Sequence, residues 1–146
     1  MRNISRVICE AFMNGRDKSI SNSSSHDDAL WLHGHKIAFW DMDHNGDILS
    51  FSMCGWGTPT TRERLNSLFQ VLGYDMSVRQ KNWSQIFRFK GQDIEIEDDA
   101  QVNFHINLDA VTFTNQKITK AHVEAIKEGW VDEPSETKKK VLIRSI

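Results

Sequence analysis

The chain has 146 residues, a net charge of −2 and 39% hydrophobic residues, which suits a single domain with a buried core. This composition excludes a disordered chain, and the near-neutral charge excludes a strongly basic protein drawn to nucleic acid or anionic membranes. The two cysteines, Cys9 and Cys54, are too few for a disulfide framework, so we expect reduced thiols. Because no apolar run approaches the roughly 20 residues of a membrane span and the N-terminus lacks a signal-peptide pattern, we expect a cytoplasmic protein.

The first predicted element is an amphipathic helix near residues 4–14, where apolar residues recur at helical spacing from Ile4 onward. Asn3 is the expected N-cap, and Gly15 is expected to end the helix in the left-handed conformation. The next stretch, residues 19–28, is polar and lacks periodicity. We expect it to form an exposed loop.

A β-meander is predicted next, because apolar residues alternate with other residues in short runs at 30–32, 37–40 and 48–53. Asn45-Gly46 separates the last two runs and is a strong signal for a hairpin, since both residues accept positive φ. The pattern therefore indicates antiparallel strands that follow one another along the chain.

The second predicted helix, at residues 60–72, has matching signals at its start, along one face and at its end. Thr60 and Glu63 form the pattern of a capping box, in which each side chain bonds the backbone N–H of the other residue. Leu65 begins an apolar stripe at helical spacing, and Gly73 is the expected stop. Agreement among the three signals supports this helix more strongly than its propensity alone.

After Gly73 the pattern returns to strands and then to a third helix. The expected strands cover residues 77–81, 85–89, 93–97 and 102–106. In the run at 93–97, isoleucines alternate with carboxylates, which is typical of a sheet with one solvated face. The third helix is expected near residues 119–129.

Together these elements predict an α+β fold, a small single domain in which an antiparallel β-sheet or meander is packed by about three helices. We place the domain at residues 1–133 and a basic tail at residues 134–146, where three lysines are consecutive. The sequence shows no internal repeat, so one layered domain is the simplest arrangement.

Three segments of the first half carry a family resemblance. They are Arg2-Asn3-Ile4-Ser5, Leu30-x-Leu32-His33-Gly34 with Ile37-Ala38, and Cys54-Gly55-Trp56-Gly57-Thr58-Pro59-Thr60-Thr61-Arg62-Glu63-Arg64-Leu65-Asn66. In these segments the chain resembles a family of small uncharacterised accessory proteins of tailed bacteriophages, of the podophage type, over about residues 1–73. The resemblance implies a phage accessory protein in the cytoplasm of the host cell, and it implies no reaction or catalytic residue. The additional strands and helix of residues 74–133 resemble nothing in that family.

Asp41, Asp43 and Asn45 match the opening ligands of a calcium-binding loop, with Gly46 at the sixth position. The twelfth position holds Ser52 instead of a bidentate glutamate, so a polar hairpin tip explains these residues as well. We therefore predict no metal site here and keep the three ligands as secondary candidates.

His33 and His35 flank a glycine, and His44 would approach them if the hairpins stack, which would bring three zinc-binding imidazoles together. No cysteine or glutamate nearby in the sequence completes the set, so an ordinary turn is the alternative interpretation. Neither pattern predicts a cofactor.

Cys54 is the one candidate nucleophile, because it precedes a helix N-terminus that could lower its pKa. A buried, inert cysteine is the alternative. The same helix N-terminus, with Thr58, Thr60 and nearby Arg62, offers N–H groups and hydroxyls to a small anion. Ordinary helix capping also explains the threonines, but capping requires neither Trp56 nor Arg62.

A further set of residues, in which cations alternate with an aromatic side chain, favours single-stranded nucleic acid. Its members are Arg62, Arg64, Arg79, Lys81, Trp83, Arg88 and Lys90. The acidic residues between positions 93 and 99 would repel phosphates nearby, and they are typical of a solvated sheet edge. Nucleic-acid binding by a basic and aromatic hairpin is therefore an alternative function.

The leading hypothesis is a phage early or anti-defence protein that binds, without catalysis, a host bacterial protein or a small anionic, nucleotide-like ligand. The residues expected to contact the partner are Trp56, Thr58, Thr60, Arg62, Arg64, Trp83 and Arg88. A small metal- or cysteine-dependent enzyme is the third hypothesis. The sequence is compatible with a homo-oligomer and indicates no membrane partner.

Overall fold

The computed structural model describes residues 2–42 and 47–115 and the backbone of residues 142–144. Its helices in these ranges are α1 (Asn3–Met13) and α2 (Pro59–Leu72), with a short 3₁₀ turn at Ile106–Leu108. Its strands there are β1 (Lys18–Ile20), β2 (Ser23–His26), β3 (Ala29–Leu32), β4 (His35–Trp40), β5 (Ile48–Ser52), β6 (Met76–Lys81), β7 (Ser84–Phe89), β8 (Gln92–Ile96), β9 (Gln101–His105), β10 (Ala110–Thr114) and β11 (Leu142–Arg144).

The strands form two antiparallel sheets. Seven strands make the large sheet in the order β1-β2-β3-β4-β5-β9-β10, and β11 pairs beside β10. The small sheet contains β6, β7 and β8. The chain passes from β5 through α2 and the small sheet before it returns to β9, which pairs directly with β5 from Ile48↔His105 to Ser52↔Gln101. This architecture confirms the predicted α+β class.

One core joins the two sheets through buried phenylalanines. The ring of Phe51 in β5 lies 4.8 Å from that of Phe69 in α2 and 5.7 Å from that of Phe87 in β7, measured between centroids. The Phe87 ring lies 6.0 Å from that of Phe113 in β10. These are favourable edge-to-face and tilted ring contacts, so α2 and the small sheet pack on the large sheet around a shared core.

The helix predicted near residues 4–14 is confirmed as α1, although its start differs in detail. Arg2 occupies the N-cap position without a side-chain hydrogen bond, and Asn3 is the first helical residue. The Asn3 side chain instead accepts a hydrogen bond from Arg6. The predicted role of Asn3 as the cap is therefore wrong, whereas Gly15 adopts φ of +66° after the helix as expected.

The second predicted helix is confirmed as α2, but the predicted capping box is wrong. Thr58 is the N-cap, and its Oγ1 accepts a hydrogen bond from the backbone N–H of Thr61 at 3.2 Å. Pro59 takes the first helical position, where its fixed φ suits the helix and its missing N–H costs nothing. The helix therefore begins at Pro59, and its cap lies two residues before the predicted cap, Thr60. Gly73 ends the helix in the left-handed conformation as predicted.

The loop predicted at residues 19–28 is wrong, because β1 ends inside this range and β2 lies wholly within it. Alternate serines of β2 are buried, and their hydroxyls are hydrogen-bonded inside the protein. Ser23 Oγ accepts from Arg64 Nε at 3.0 Å, and Ser25 Oγ donates to the carbonyl of Arg16 at 2.9 Å. The inward face of β2 is therefore polar, so an apolar alternation could not reveal the strand.

The first two strands predicted after α2 are confirmed as β6 and β7, each to within one residue. The next predicted strand is confirmed as β8, whose isoleucines face the core. The strand predicted at 102–106 is confirmed as β9, which begins and ends one residue earlier, at Gln101 and His105. The Asn45-Gly46 turn lies outside the described residues, although β4 and β5 pair as the hairpin requires. The predicted helix at 119–129 also lies outside them, as does the tail apart from the β11 backbone. Neither α1 nor α2 has the length and apolarity that crossing a bilayer requires.

Candidate functional site

A pocket of about 420 Å³ opens where the β3–β4 turn, the end of β5 and the start of α2 meet. Three buried apolar side chains form part of its lining: Leu32 from β3, Ile37 from β4, and Met53, which directly follows β5. The residues that line it, and define the Trp56 pocket, are Leu32, His33, His35, Ile37, Met53, Trp56, Thr58, Thr60 and Thr61. Its volume lies in the range of sites that hold small organic molecules.

The indole of Trp56 gives this pocket an exposed aromatic surface. It is 57% exposed and lies against the imidazole of His35, with ring centroids 5.7 Å apart and ring planes 37° apart. The backbone of Trp56 is fixed on both sides, since its N–H donates to the Met53 carbonyl and its carbonyl accepts from Thr58 N–H, each at 2.8 Å. The protein therefore holds a large aromatic side chain at the surface in a defined position.

The loop that carries Trp56 is seated against the small sheet at Gly57. A Cβ added at Gly57 would lie 2.5 Å from Nε2 of Gln85 and 3.0 Å from Oδ1 of Asp98. Gln85 is buried in β7, and the preceding Gly55 N–H donates to the Asp98 carbonyl at 2.9 Å. This close approach explains the glycine after Trp56, because a side chain there would push the loop away from the sheet.

The threonines at the start of α2 differ in their hydrogen bonding. Thr58 Oγ1 bonds both the backbone N–H of Thr61 and its hydroxyl, the latter at 2.9 Å. Thr60 is half-buried, and within the described residues neither its hydroxyl nor its backbone N–H has a hydrogen-bond partner. The predicted residues Trp56, Thr58 and Thr60 are thus brought together, and Thr60 has two polar groups, its hydroxyl and its N–H, without a partner in the described part of the chain.

Arg62 does not line the Trp56 pocket. Its Nη1 donates to the Gly57 carbonyl at 2.6 Å and to the side-chain oxygens of Gln80 at 2.9 Å and Gln85 at 3.2 Å. The guanidinium therefore ties the loop and α2 to the small sheet. It is not among the residues that line the pocket, contrary to the role that an anion site would give it.

Arg64 is also withdrawn from the surface, at 2% exposure. Its Nη1 donates to Ser5 Oγ at 2.7 Å and lies 3.2 Å from the Glu63 carboxylate. Glu63 in turn accepts from the hydroxyls of Ser5 and Ser67. These residues with Ser23 form the Arg64 cluster, which joins α1, α2 and β2, so a partner at the surface cannot reach this guanidinium.

The Glu63 carboxyl in the Arg64 cluster remains ionised more readily than an ordinary carboxyl. Burial raises its pKa, but hydrogen bonds from Ser5 and Ser67 and the charge of Arg64 outweigh that effect and lower the pKa below its usual value. The cluster is thus a closed set of polar groups that satisfy one another.

Trp83 and Arg88 lie on the small sheet, away from the Trp56 pocket. Trp83 is 91% exposed at the turn between β6 and β7, where its φ is +67°. Arg88 Nε and Arg79 Nη2 both pair with Asp93, at 3.1 and 2.8 Å. The hydrogen bond from Arg79, with the charges of both arginines, lowers the pKa of Asp93 despite partial burial. The basic character predicted for this face is therefore partly neutralised.

The secondary metal candidates are only partly described. His33 and His35 both line the Trp56 pocket, and a ring nitrogen of His33 lies 3.5 Å from the side-chain amide of Asn22. Asp41 is described, whereas Asp43 and Asn45 lie outside the described residues. In the described ranges, no group of three or more His, Cys, Asp and Glu side chains is placed to hold a metal ion.

Cys54 does not have the environment of an activated nucleophile. Burial raises the pKa of its thiol, outweighing a hydrogen bond with Ser52 and the charge of Lys36. The thiol donates to the Lys36 carbonyl at 3.1 Å. Between the two interpretations of Cys54 that the sequence left open, the raised pKa favours the inert cysteine over the activated nucleophile. Cys9 is buried in α1, and burial raises its pKa to about 12.

Comparison with known proteins identifies a family. The model of the family described as Kyanoviridae Gp96 protein matches residues 1–109. No curated protein and no solved structure matches the chain. The matched range includes every residue of the Trp56 pocket and extends through the small sheet and β9, beyond the residues 1–73 that carry the resemblance in the sequence. The chain belongs to the Kyanoviridae Gp96 family of bacteriophage proteins.

Proposed function

We propose that this phage protein is a non-enzymatic binding module that takes a small ligand into the Trp56 pocket. The observation that carries the proposal is the combination of a buried apolar lining with a fixed, exposed indole at one opening. Apolar pockets with a few polar groups are typical of ligand sites. In this proposal the protein acts in the host cytoplasm as an accessory protein of the podophage type that the sequence suggested. It acts either early in infection or against host defence.

The state of Cys54 supports binding over cysteine-dependent catalysis. A thiol whose pKa is raised by burial supplies little thiolate at neutral pH, and the thiolate is the nucleophile. The hydrogen bond from this thiol to the Lys36 carbonyl gives it a structural role in joining β4 to the loop after β5.

Native mass spectrometry tests the proposal. The purified full chain is incubated with a small-molecule extract of host cells, exchanged into volatile buffer and weighed intact. We expect one added mass of small-molecule size that Trp56→Ala loses. Trp83→Ala is the matched control, because it removes an even more exposed indole outside the pocket. Absence of any bound molecule from the unmodified protein, or equal loss in both variants, would contradict the proposal.

Trp83 supports a second candidate function, docking onto a host protein. An indole that is 91% exposed at a hairpin tip is the kind of residue that anchors protein interfaces. A host protein retained by the unmodified chain and by Trp56→Ala, but lost by Trp83→Ala, would support this candidate. Retention by all three chains would count against it.

The nucleic-acid alternative has less support. Arg79 and Arg88 share the carboxylate of Asp93, and Lys90 pairs with Asp109. Arg64 is buried, so it contributes nothing to a basic surface. We expect no mobility shift of single-stranded DNA or RNA at low salt, where electrostatic binding is strongest.

A further inference from the structure

We propose that the ligand of the Trp56 pocket is an uncharged planar heteroaromatic ring, of the kind that nucleobases carry, stacked on the indole of Trp56. This inference rests on the proposed function and names the chemistry of its ligand. Three features of the pocket lead to it, namely its flat aromatic surface, its lack of charge and its unsatisfied polar group.

The aromatic surface favours a flat ligand. The His35 ring lies against the indole of Trp56, and backbone hydrogen bonds hold the main chain on both sides of this residue. It therefore presents a π-surface without first losing the conformational freedom of a mobile loop. The buried side chains of Leu32, Ile37 and Met53 offer apolar contact to the same ligand. Stacking against such a surface is available to any aromatic base.

The charge of the lining favours an uncharged ligand. Among the described residues that line the pocket, none is Lys, Arg, Asp or Glu. The start of α2 offers little to an anion, because Pro59 lacks an N–H and Thr58 accepts the N–H groups of Thr61 and Arg62. A phosphate in this pocket would lose water without gaining a counter-charge. The structure therefore favours a neutral ring over the small anion expected from the sequence.

The unsatisfied polar group favours a ring with heteroatoms. Thr60 offers a hydroxyl and a backbone N–H that bond nothing within the described residues. The side chains of His33 and His35 line the same pocket, and an imidazole can donate or accept a hydrogen bond. A hydrocarbon ring would cover these groups without bonding them, whereas a heteroaromatic edge would pair with them.

Calorimetric titration of the purified chain tests the inference with defined probes: adenosine, guanosine, cytidine and uridine, their 5′-monophosphates, and inorganic phosphate. We expect at least one nucleoside to bind, its monophosphate to bind no more tightly, and phosphate alone not to bind. Trp56→Ala should weaken the nucleoside by about tenfold or more. Trp56→Phe should retain most of the affinity, because it keeps a ring for stacking.

Two controls separate stacking from a loss of folding. Trp83→Ala should bind the nucleoside like the unmodified chain, and a circular dichroism spectrum should show that Trp56→Ala keeps its fold. Thr60→Val, which replaces the hydroxyl with a methyl of similar size, should weaken the nucleoside by several fold while leaving the backbone in place.

The outcomes also distinguish this inference from the proposed function. If no nucleoside binds but the host extract supplies a different ligand that Trp56→Ala loses, the heteroaromatic assignment is wrong and the binding function stands. If inorganic phosphate binds alone, or a monophosphate binds far more tightly than its nucleoside, the pocket recognises the anion and the inference is overturned. If neither the extract nor any probe binds, both proposals fail.

Discussion

The Trp56 pocket and the Arg64 cluster are both built on α2, yet they are opposite kinds of polar environment. In the cluster, every polar group faces another at hydrogen-bond distance, and Arg64 is buried. In the pocket, an indole is exposed and Thr60 has no hydrogen-bond partner within the described residues. Polar groups that satisfy one another stabilise the fold, whereas a polar group without a partner beside a cavity is what a binding site for a ligand requires.

Removing the guanidinium of the Arg64 cluster should destabilise the protein most. Arg64→Ala should lower the free energy of unfolding by about 3 kcal/mol, because Glu63 and two serines lose their buried partner. Denaturant unfolding measures the change. Arg6→Ala is the matched control, since the Arg6–Glu10 pair is exposed and spans 3.6 Å, and it should cost less than about 0.5 kcal/mol. Equal effects in both variants would contradict the closed state of the cluster.

A side chain at Gly57, where the Trp56 loop approaches the small sheet, should have the next largest effect on stability. Gly57→Ala should cost about 1–3 kcal/mol, because the new Cβ would overlap the buried side chain of Gln85. The double variant Gly57→Ala with Gln85→Ala should cost less than the sum of the two single changes, since the overlap is removed. Additive costs, measured by denaturant unfolding, would show that the loop is not held against β7.

Two substitutions at the start of α2 distinguish the observed cap, Thr58, from the predicted cap, Thr60. Thr58→Ala should lower the melting temperature and cost about 1 kcal/mol, because the N–H of Thr61 loses its acceptor. Thr60→Ala removes a hydroxyl with no described partner and should cost less. If Thr60→Ala instead cost more stability than Thr58→Ala, the capping box predicted from the sequence would be supported.

The smallest effect concerns pH. The pKa of Glu63 is lowered in the folded protein, so its contribution to stability is complete above the ordinary carboxyl range, near pH 4.3, and is lost as the pH falls through the lowered value. Melting curves between pH 2 and pH 6 should therefore show a decline in acid that is smaller in Glu63→Gln. An identical decline in both proteins would assign it to other carboxyls, such as Asp93, whose pKa is also lowered.

Local signals in the sequence predict most helices and strands, but they do not predict which side chains each element buries or contacts. The stripe from Leu65 and the stop at Gly73 predict α2 because both are short-range properties of a helix. The strand β2 was missed because its buried face carries serines that only the distant Arg64 explains. Polarity along the chain therefore does not decide exposure when the partner comes from another element.

The candidate site was predicted in part for the same reason. Trp56, Thr58 and Thr60 are close in sequence and in the pocket. Leu32, Ile37 and Met53 were read as ordinary strand residues, because nothing local shows that their side chains meet beneath a cavity. Arg62 and Arg64 looked equivalent, but one binds the small sheet and the other is buried against α1 and β2.

The pairing of β5 with β9 has a consequence for the order of folding. Its register joins Ile48 to His105 across α2 and the whole small sheet, so the large sheet closes only after a long loop has been ordered. Long-range pairings of this kind slow folding. The pocket residues, by contrast, all lie between Leu32 and Thr61. We therefore expect the segments that line the pocket to come together early in folding. The pairing of β5 with β9, which completes the large sheet, should follow.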